Sequence, residues 1–222
     1  MAGKHNPEIK AKFWLKFTDW CHQSVVLAYQ NIKDNDIEYK EWEEEGISAA
    51  LYFELERLPL IKSKRITVIP EFRLYNKDIA LGKKSAKNAD RIDFRFNKWK
   101  GKNEAKYYGE AKNLSSFSWK KAKGTSVDAS AYRARYIETG IDRISYGKYS
   151  FLDSFLIGYV VNGTAKENIA KINSLINKRN LPPKIGIIEQ SNPICSHSKC
   201  YCSINIDGHN EVALHHILLE FN

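Results

Sequence analysis

Between Phe151 and Val161 the chain reads Phe-Leu-Asp-Ser-Phe-Leu-Ile-Gly-Tyr-Val-Val, with Phe155, Ile157, Tyr159 and Val161 on alternate positions and further apolar residues between them. A strand that is apolar on both faces has to be covered on both faces, so this run predicts the central strand of a layered α/β domain. The flanking periodicities supply the layers. Pro7–Asn31 repeats apolar residues at three and four (Phe13, Phe17, Trp20, Cys21, Val25, Ala28), which predicts a helix with Pro7 in its first turn and Glu8 at its positive end. After a turn at Asn31–Asp36, a second helix is expected over Glu38–Leu58, its buried face carrying Trp42, Ile47, Ala50, Leu51, Leu55 and Leu58, with Pro59 as its stop. Arg65–Tyr75 returns to the period of a strand through Ile66, Val68, Phe72 and Leu74, and Pro70 marks an edge or a bulge. Beyond the central run, Thr164 caps a helix over Ala165–Arg179 that Leu181-Pro-Pro183 ends; strands follow at Lys184–Glu189 and Val212–Phe221. Strand, helix and strand in that order predict a crossover within one mixed sheet. No linker or repeat divides the chain, so residues 1–222 read as a single domain, helical over 1–60 and built on the sheet over 61–222.

The reactive groups gather in one predicted hairpin. In Arg91-Ile-Asp93-Phe-Arg-Phe96 the apolar residues alternate with charged ones, so Asp93 is expected to point away from Ile92, Phe94 and Phe96. Lys98–Lys106 reads as a turn around Gly101 and Asn103, and Tyr107–Asn113 as the partner strand, on which Glu110 and Lys112 share a face. Two carboxylates offer hard oxygen ligands for Mg²⁺ or Mn²⁺. Such an ion acidifies a bound water and neutralises charge growing on a phosphate, and a lysine alongside orients the water or stabilises the transition state. Asp90 falls before the strand, and Glu71, on one face with Arg73, reads as a surface charge.

Asp93, sixteen intervening residues, then Glu110-Ala-Lys112 across a hairpin resembles the PD-(D/E)XK nucleases, the restriction-endonuclease-like superfamily. Ile92 stands where that family often has proline. The resemblance implies a restriction-endonuclease-like mixed β-sheet flanked by helices on both faces, with Asp93 and Glu110 on the metal and Lys112 beside the water. It also implies a glutamate from the helix before the sheet. Glu44 and Glu45, in the acidic run Glu41–Glu45, are both candidates for that further metal ligand, and the same run equally complements a helix N-terminus. The implied activity is Mg²⁺-dependent hydrolysis of DNA phosphodiesters, with Mn²⁺ as a substitute and a 5′-phosphate left behind. The implied setting is restriction or anti-phage defence, as a homodimer or as a nuclease subunit controlled by a partner protein. The alternative is a catalytically inactive nucleic-acid-binding or scaffold subunit on the same fold.

Composition agrees with a polyanionic partner: the formal charge is +9, and 43% hydrophobic with 12% aromatic residues describes a chain that folds. No apolar run is long enough for a membrane span, and the N-terminal residues lack the apolar core of a signal peptide, so a cytoplasmic protein with four reduced cysteines is expected. Three stretches carry further basic or aromatic side chains. Asn76–Ala89 is a basic connection. Asn113–Thr125 interleaves Phe117 and Trp119 with lysines, which suits base stacking and phosphate contact or simply a pinned loop. Ser126-Val-Asp128 is expected to cap a helix running to about Tyr146, whose Tyr132, Arg133, Arg135, Tyr136 and Arg143 include candidates for orienting DNA. Near the C-terminus Cys195, His197, Cys200, Cys202, His209, His215 and His216 are zinc-competent, but their spacing matches no paired knuckle and a structural zinc is not expected.

Overall fold

The structure, a computed structural model, describes residues 7–34, 41–75, 77–83, 85–147, 149–150, 152–179, 185–190, 198–207 and 210–221. Helices α1 (Pro7–Lys33), α2 (Glu44–Arg57) and α3 (Pro59–Lys64) precede β1 (Thr67–Leu74). A single turn, α4 (Lys77–Ala80), leads to the long strands β2 (Asp90–Lys100) and β3 (Asn103–Ser115), then to a small hairpin of β4 (Trp119–Lys120) and β5 (Ser126–Val127). Next come α5 (Ala129–Arg135), a π-helical segment (Tyr136–Ile141), α6 (Asp142–Ser145), β6 (Ser154–Asn162) and α7 (Ala165–Lys178). Strands β7 (Glu189–Gln190), β8 (Cys200–Asp207) and β9 (Asn210–Glu220) complete the described fold.

Seven strands form one sheet in the order β1-β2-β3-β6-β9-β8-β7. The pairs β3–β6 and β6–β9 are parallel and the others antiparallel. The apolar run therefore does lie at the centre: β6 is buried from Ser154 to Val161. Its Phe155, Ile157 and Tyr159 join the core formed with α1, α2 and α3, and Leu156 and Val160 join the core formed with α5, the π segment and α7. Helices cover both faces of a mixed α/β sheet. At its N-terminus α7 carries the expected cap, in which Thr164 Oγ1 accepts from Glu167 N and the Glu167 carboxylate accepts from Thr164 N. Among the described residues no helix is long and apolar enough to cross a membrane.

Several expectations change. The second helix begins at Glu44, not Glu38; residues 41–43 are non-helical because their groups are bound to β3 and the β4–β5 hairpin, and residues 38–40 lie outside the described residues. Trp42 is accordingly 37% exposed and sits outside the buried face. Pro59 ends α2 but also starts α3, where its missing N–H costs nothing. The expected turn over Lys98–Lys106 shrinks to Gly101-Lys102, because the ladder runs on to Lys100↔Asn103 and Gly101 supplies the positive φ of 60° that a tight hairpin turn needs. The strand expected at Lys184–Glu189 is reduced to the edge pair Glu189–Gln190 on β8, so the parallel neighbour of β6 across the α7 crossover is β9. Cys195, His197 and His209 lie outside the described residues. Cys200 is disulfide-bonded while Cys21 and Cys202 are free thiols, so the expectation of four reduced cysteines fails at Cys200. His216 is buried between Tyr136 Oη (3.0 Å) and Ser203 Oγ (2.9 Å), and burial depresses its pKa to about 3, which keeps it neutral.

The irregularity that matters most is in β1 and β2. On a regular strand Ile92, Phe94 and Phe96 would share a face. Here Phe94 and Phe96 enter the α1–α3 core, whereas Ile92 enters the opposite one. In β1, Val68 lies in the first core, with Ile66 just before the strand, and Phe72 and Leu74 pack against the second. Both strands switch faces at one level, where Glu71 stands opposite Asp93 in a register that pairs Pro70 with Phe94 and Phe72 with Ile92. Glu71 takes φ 45°, a left-handed conformation that costs a non-glycine residue about 1 kcal/mol.

On β3, Gly109 pairs with Phe94 on one side and Phe155 on the other, and a Cβ added there would lie 2.9 Å from the Phe155 ring. That ring is fully buried and stacked on Tyr107 at 4.9 Å, so it has little room to yield. Gly109→Val is expected to lower stability by about 1–3 kcal/mol through overpacking, read as a shift of the urea midpoint.

Candidate active site at a fork in the sheet

The ladder between β2 and β3 runs from Lys100↔Asn103 to Phe94↔Gly109 and stops there. Beyond that point β2 stays with β1 and β3 continues beside β6, so the two strands part at Asp93 and Glu110. Parting would strand the β3 amides that face the gap. Two carboxylates take the place of the missing backbone carbonyls: Ala111 N donates to Asp93 Oδ2 at 2.6 Å and Asn113 N donates to Glu44 Oε2 at 3.2 Å. Glu44 reaches the fork from the first turn of α2.

Lys112 sits among these acids. Its Nζ lies 2.9 Å from Glu110 Oε1 and 3.0 Å from Glu44 Oε1, and it donates to the carbonyl of Ala111. The side chains of Glu110 and Lys112 are 5% and 11% exposed, too little for water to screen them well. The structure brings Asp93, Glu110 and Lys112 together with Glu44, one of the two glutamates that the sequence leaves open. Glu45 is exposed on α2 and makes no described contact with them. Asp93 achieves its position through the face switch rather than through the regular alternation expected of β2.

Burial dominates the titration of the acids. It pushes Glu110 up to about 7, aided by the charge of Asp93 and opposed by Lys112, and pushes Asp93 up to about 6 against the pull of Lys112 and of its bond from Ala111 N. For Lys112 burial acts downward, yet Glu110, Glu44 and Asp93 outweigh it and hold the pKa above the usual lysine value. The ammonium is therefore charged at any working pH and acts as a donor and positive charge, not as a base. With all groups ionised, three carboxylates face one ammonium and leave a net charge of minus two.

The free oxygens are specific. Glu110 Oε2 is buried with no hydrogen-bond partner, and Asp93 uses only Oδ2 in its described bonds. Both oxygens of Glu44 are engaged, one by Lys112 and one by Asn113 N. Accordingly the described residues contain no ready-made group of three His, Cys, Asp or Glu ligands. The donor set still fits a hard divalent cation: two carboxylate oxygens at hand, one of them an orphaned buried acceptor, in a site with excess negative charge.

Residues outside the motif complete the surroundings. Tyr149 Oη donates to Arg91 O at 2.6 Å, and burial with the nearby Glu110 charge raises its pKa to about 12. Buried Tyr159 meets Ser48 of α2 at 3.0 Å, with burial raising its pKa and the charges of Asp93 and Glu44 adding to the rise. Asn113 is buried with Oδ1 unpartnered; a polar residue in an otherwise buried strand, next to Lys112, is the signal that would have marked it. The basic residues expected to orient DNA from the following helix are less available. Arg133 donates to the carbonyls of Ser115 (2.7 Å) and Ser116 (3.4 Å), and Tyr136 is buried on His216. A cleft between α5 and α7, lined by Arg133, Lys171 and Leu175 among others, includes none of the four site residues.

A carboxyl whose pKa is higher in the folded than in the unfolded chain holds its proton more tightly when folded. Its penalty is absent at low pH and grows as pH rises from its unfolded value through about 7. Glu110→Gln removes that penalty. Without divalent ions, the thermal midpoint of Glu110→Gln relative to the parent is expected to climb between about pH 5 and about pH 8 by calorimetry; a difference constant with pH would contradict a desolvated Glu110. No protein-family model, curated protein or solved structure matches this chain, so any reading of the site rests on this geometry.

Proposed function

We propose that the protein is a metal-dependent endonuclease of the restriction-endonuclease-like type, hydrolysing DNA phosphodiester bonds. The observation that carries this reading is the convergence of Asp93, Glu110 and Lys112 at the fork, with Glu110 Oε2 buried and unpaired beside a fixed ammonium. Asp93 and Glu110 would hold Mg²⁺, with Mn²⁺ as a substitute. Bound there, the ion lowers the pKa of a water and withdraws charge from the phosphate. Lys112, its three N–H groups held by Glu110, Glu44 and the Ala111 carbonyl, would contribute its positive charge beside the attacking water and the charge developing on phosphorus-bound oxygen. Glu44, with both oxygens engaged, keeps Lys112 in place. The formal charge of +9 draws the polyanionic substrate. A role in restriction or anti-phage defence, as a homodimer or beside a controlling partner, belongs to the same proposal.

An inactive nucleic-acid-binding or scaffold subunit is the second reading. It is favoured by the want of a ready-made three-ligand group among the described residues. Plasmid DNA with graded Mg²⁺ and an EDTA control separates the two. Cleavage is expected only with the ion, and Asp93→Asn or Lys112→Ala should slow it by about 10²–10³-fold or more while DNA affinity stays within a few-fold. Binding without cleavage in the parent protein would favour the scaffold, and full-rate cleavage by either variant would remove that residue from the chemistry.

A further inference from the structure

The β4–β5 hairpin follows β3 and, among the described residues, forms a two-stranded sheet of its own through Trp119↔Val127 and Lys120↔Ser126. Its turn is closed by Lys121 N to Thr125 O (2.9 Å) and Gly124 N to Lys121 O (2.8 Å). Lys121 does not reach into solvent as a turn lysine ordinarily would. Its side chain is 13% exposed, and its Nζ donates to the carbonyl of Glu41 at 3.0 Å and to the Glu43 carboxylate. Next to it, Ala122 N donates to Glu41 Oε1 at 2.8 Å. Glu43 is the residue at the N-cap of α2, yet its side chain makes no capping bond; it is turned to Lys121 instead.

We infer that Lys121 is a positioning residue: the hairpin latches the segment leading into α2, fixing where the helix begins and so placing Glu44 against Lys112 and Asn113 N. Glu44 is the first residue of α2, one position after Glu43. If the first turn unwinds, Glu44 leaves the helical position that aims its carboxylate into the fork. The α2 body is anchored by Ile47, Leu51 and Leu55 in the core, but those residues leave the first turn free to fray. Lys121 and Ala122 supply the missing restraint from residues 78 to 81 positions away. In the nuclease reading Glu44 in turn braces Lys112, so that part of the inference rests on that reading; the placement of Glu44 does not.

Amide hydrogen exchange by NMR on the full chain, without metal or DNA, tests the placement directly. Asn113 N–H is protected in the parent by Glu44 Oε2. Lys121→Met is expected to speed its exchange by about tenfold or more, approaching Glu44→Gln, and combining the two substitutions should add little. Lys120→Met on the same hairpin should leave it unchanged, and amides of β6 such as Ile157 should keep their protection in all variants. Undiminished protection of Asn113 in Lys121→Met would overturn the latch, as would an equal loss across β6, which would report general destabilisation. A cleavage assay then separates the latch from the nuclease reading. Slower turnover at saturating DNA in Lys121→Met with unchanged KM extends the latch to catalysis. Loss of Asn113 protection in a protein that never cuts DNA leaves the latch standing and removes the nuclease.

Discussion

Ala111 N and Asn113 N donate to carboxylates instead of to a neighbouring strand, and the site exists because of that exchange. A buried N–H left without an acceptor costs about 1–3 kcal/mol, so β2 and β3 could not part cheaply unless something replaced the lost carbonyls. Asp93 and Glu44 do so. Their carboxylates are thus held in place by a structural need of the sheet, and the same need sets which oxygens remain. Asp93 gives Oδ2 to the backbone and keeps Oδ1 for other use; Glu44 gives up both.

The face switch in β1 and β2 makes the fork possible. Two strands that stayed in the plane of β3 would have kept their ladder and pointed Asp93 away from the gap. By crossing from one core to the other at Glu71 and Asp93, they separate from β3 while still burying Val68, Phe94 and Phe96 on one side and Ile92 and Phe72 on the other. The left-handed Glu71 is the local cost. Its ion pair with Arg91, at 3.4 Å between side chains 61% and 53% exposed, offsets little of it. Strain at this level, directly opposite an acid of the site, accords with the tendency of such conformations to collect where function constrains the backbone.

Much of the layered fold was legible in the chain. The double-sided apolar run placed β6, and the stripes of α1 and the cap of α7 placed helices that the structure keeps nearly to the residue. The pairing of Glu110 with Lys112 was legible as well, since residues two apart share a face on any regular strand, whereas the acidic run left Glu44 and Glu45 equally open. What was hidden depends on contacts distant in sequence. The start of α2 is set by Lys121, Ala122 and Asn113, so local periodicity extended the helix back into residues that are not helical. The crossing at Asp93 is invisible for a different reason: Ile92, Phe94 and Phe96 are all apolar, and alternation is the same whether a strand keeps its face or changes it. The short β7 misled because Ile185, Ile187 and Ile188 look like strand residues, although only Glu189 and Gln190 pair.

The choice between Glu44 and Glu45 follows from the same long-range contacts. Nothing in the acidic run distinguishes them, and with the helix starting at Glu38 either would be an interior position whose direction is a matter of register. Consecutive side chains on a helix diverge by about 100°, and with α2 oriented by buried Ile47, Leu51 and Leu55 it is Glu44 that meets the open amide of Asn113 and is committed to the sheet. That commitment also determines what Glu44 can contribute. An oxygen already bonded to an ammonium or an N–H is a poor donor to a cation unless that bond is surrendered. In this geometry Glu44 therefore acts through Lys112, and the oxygens open to a ligand are those of Asp93 and Glu110.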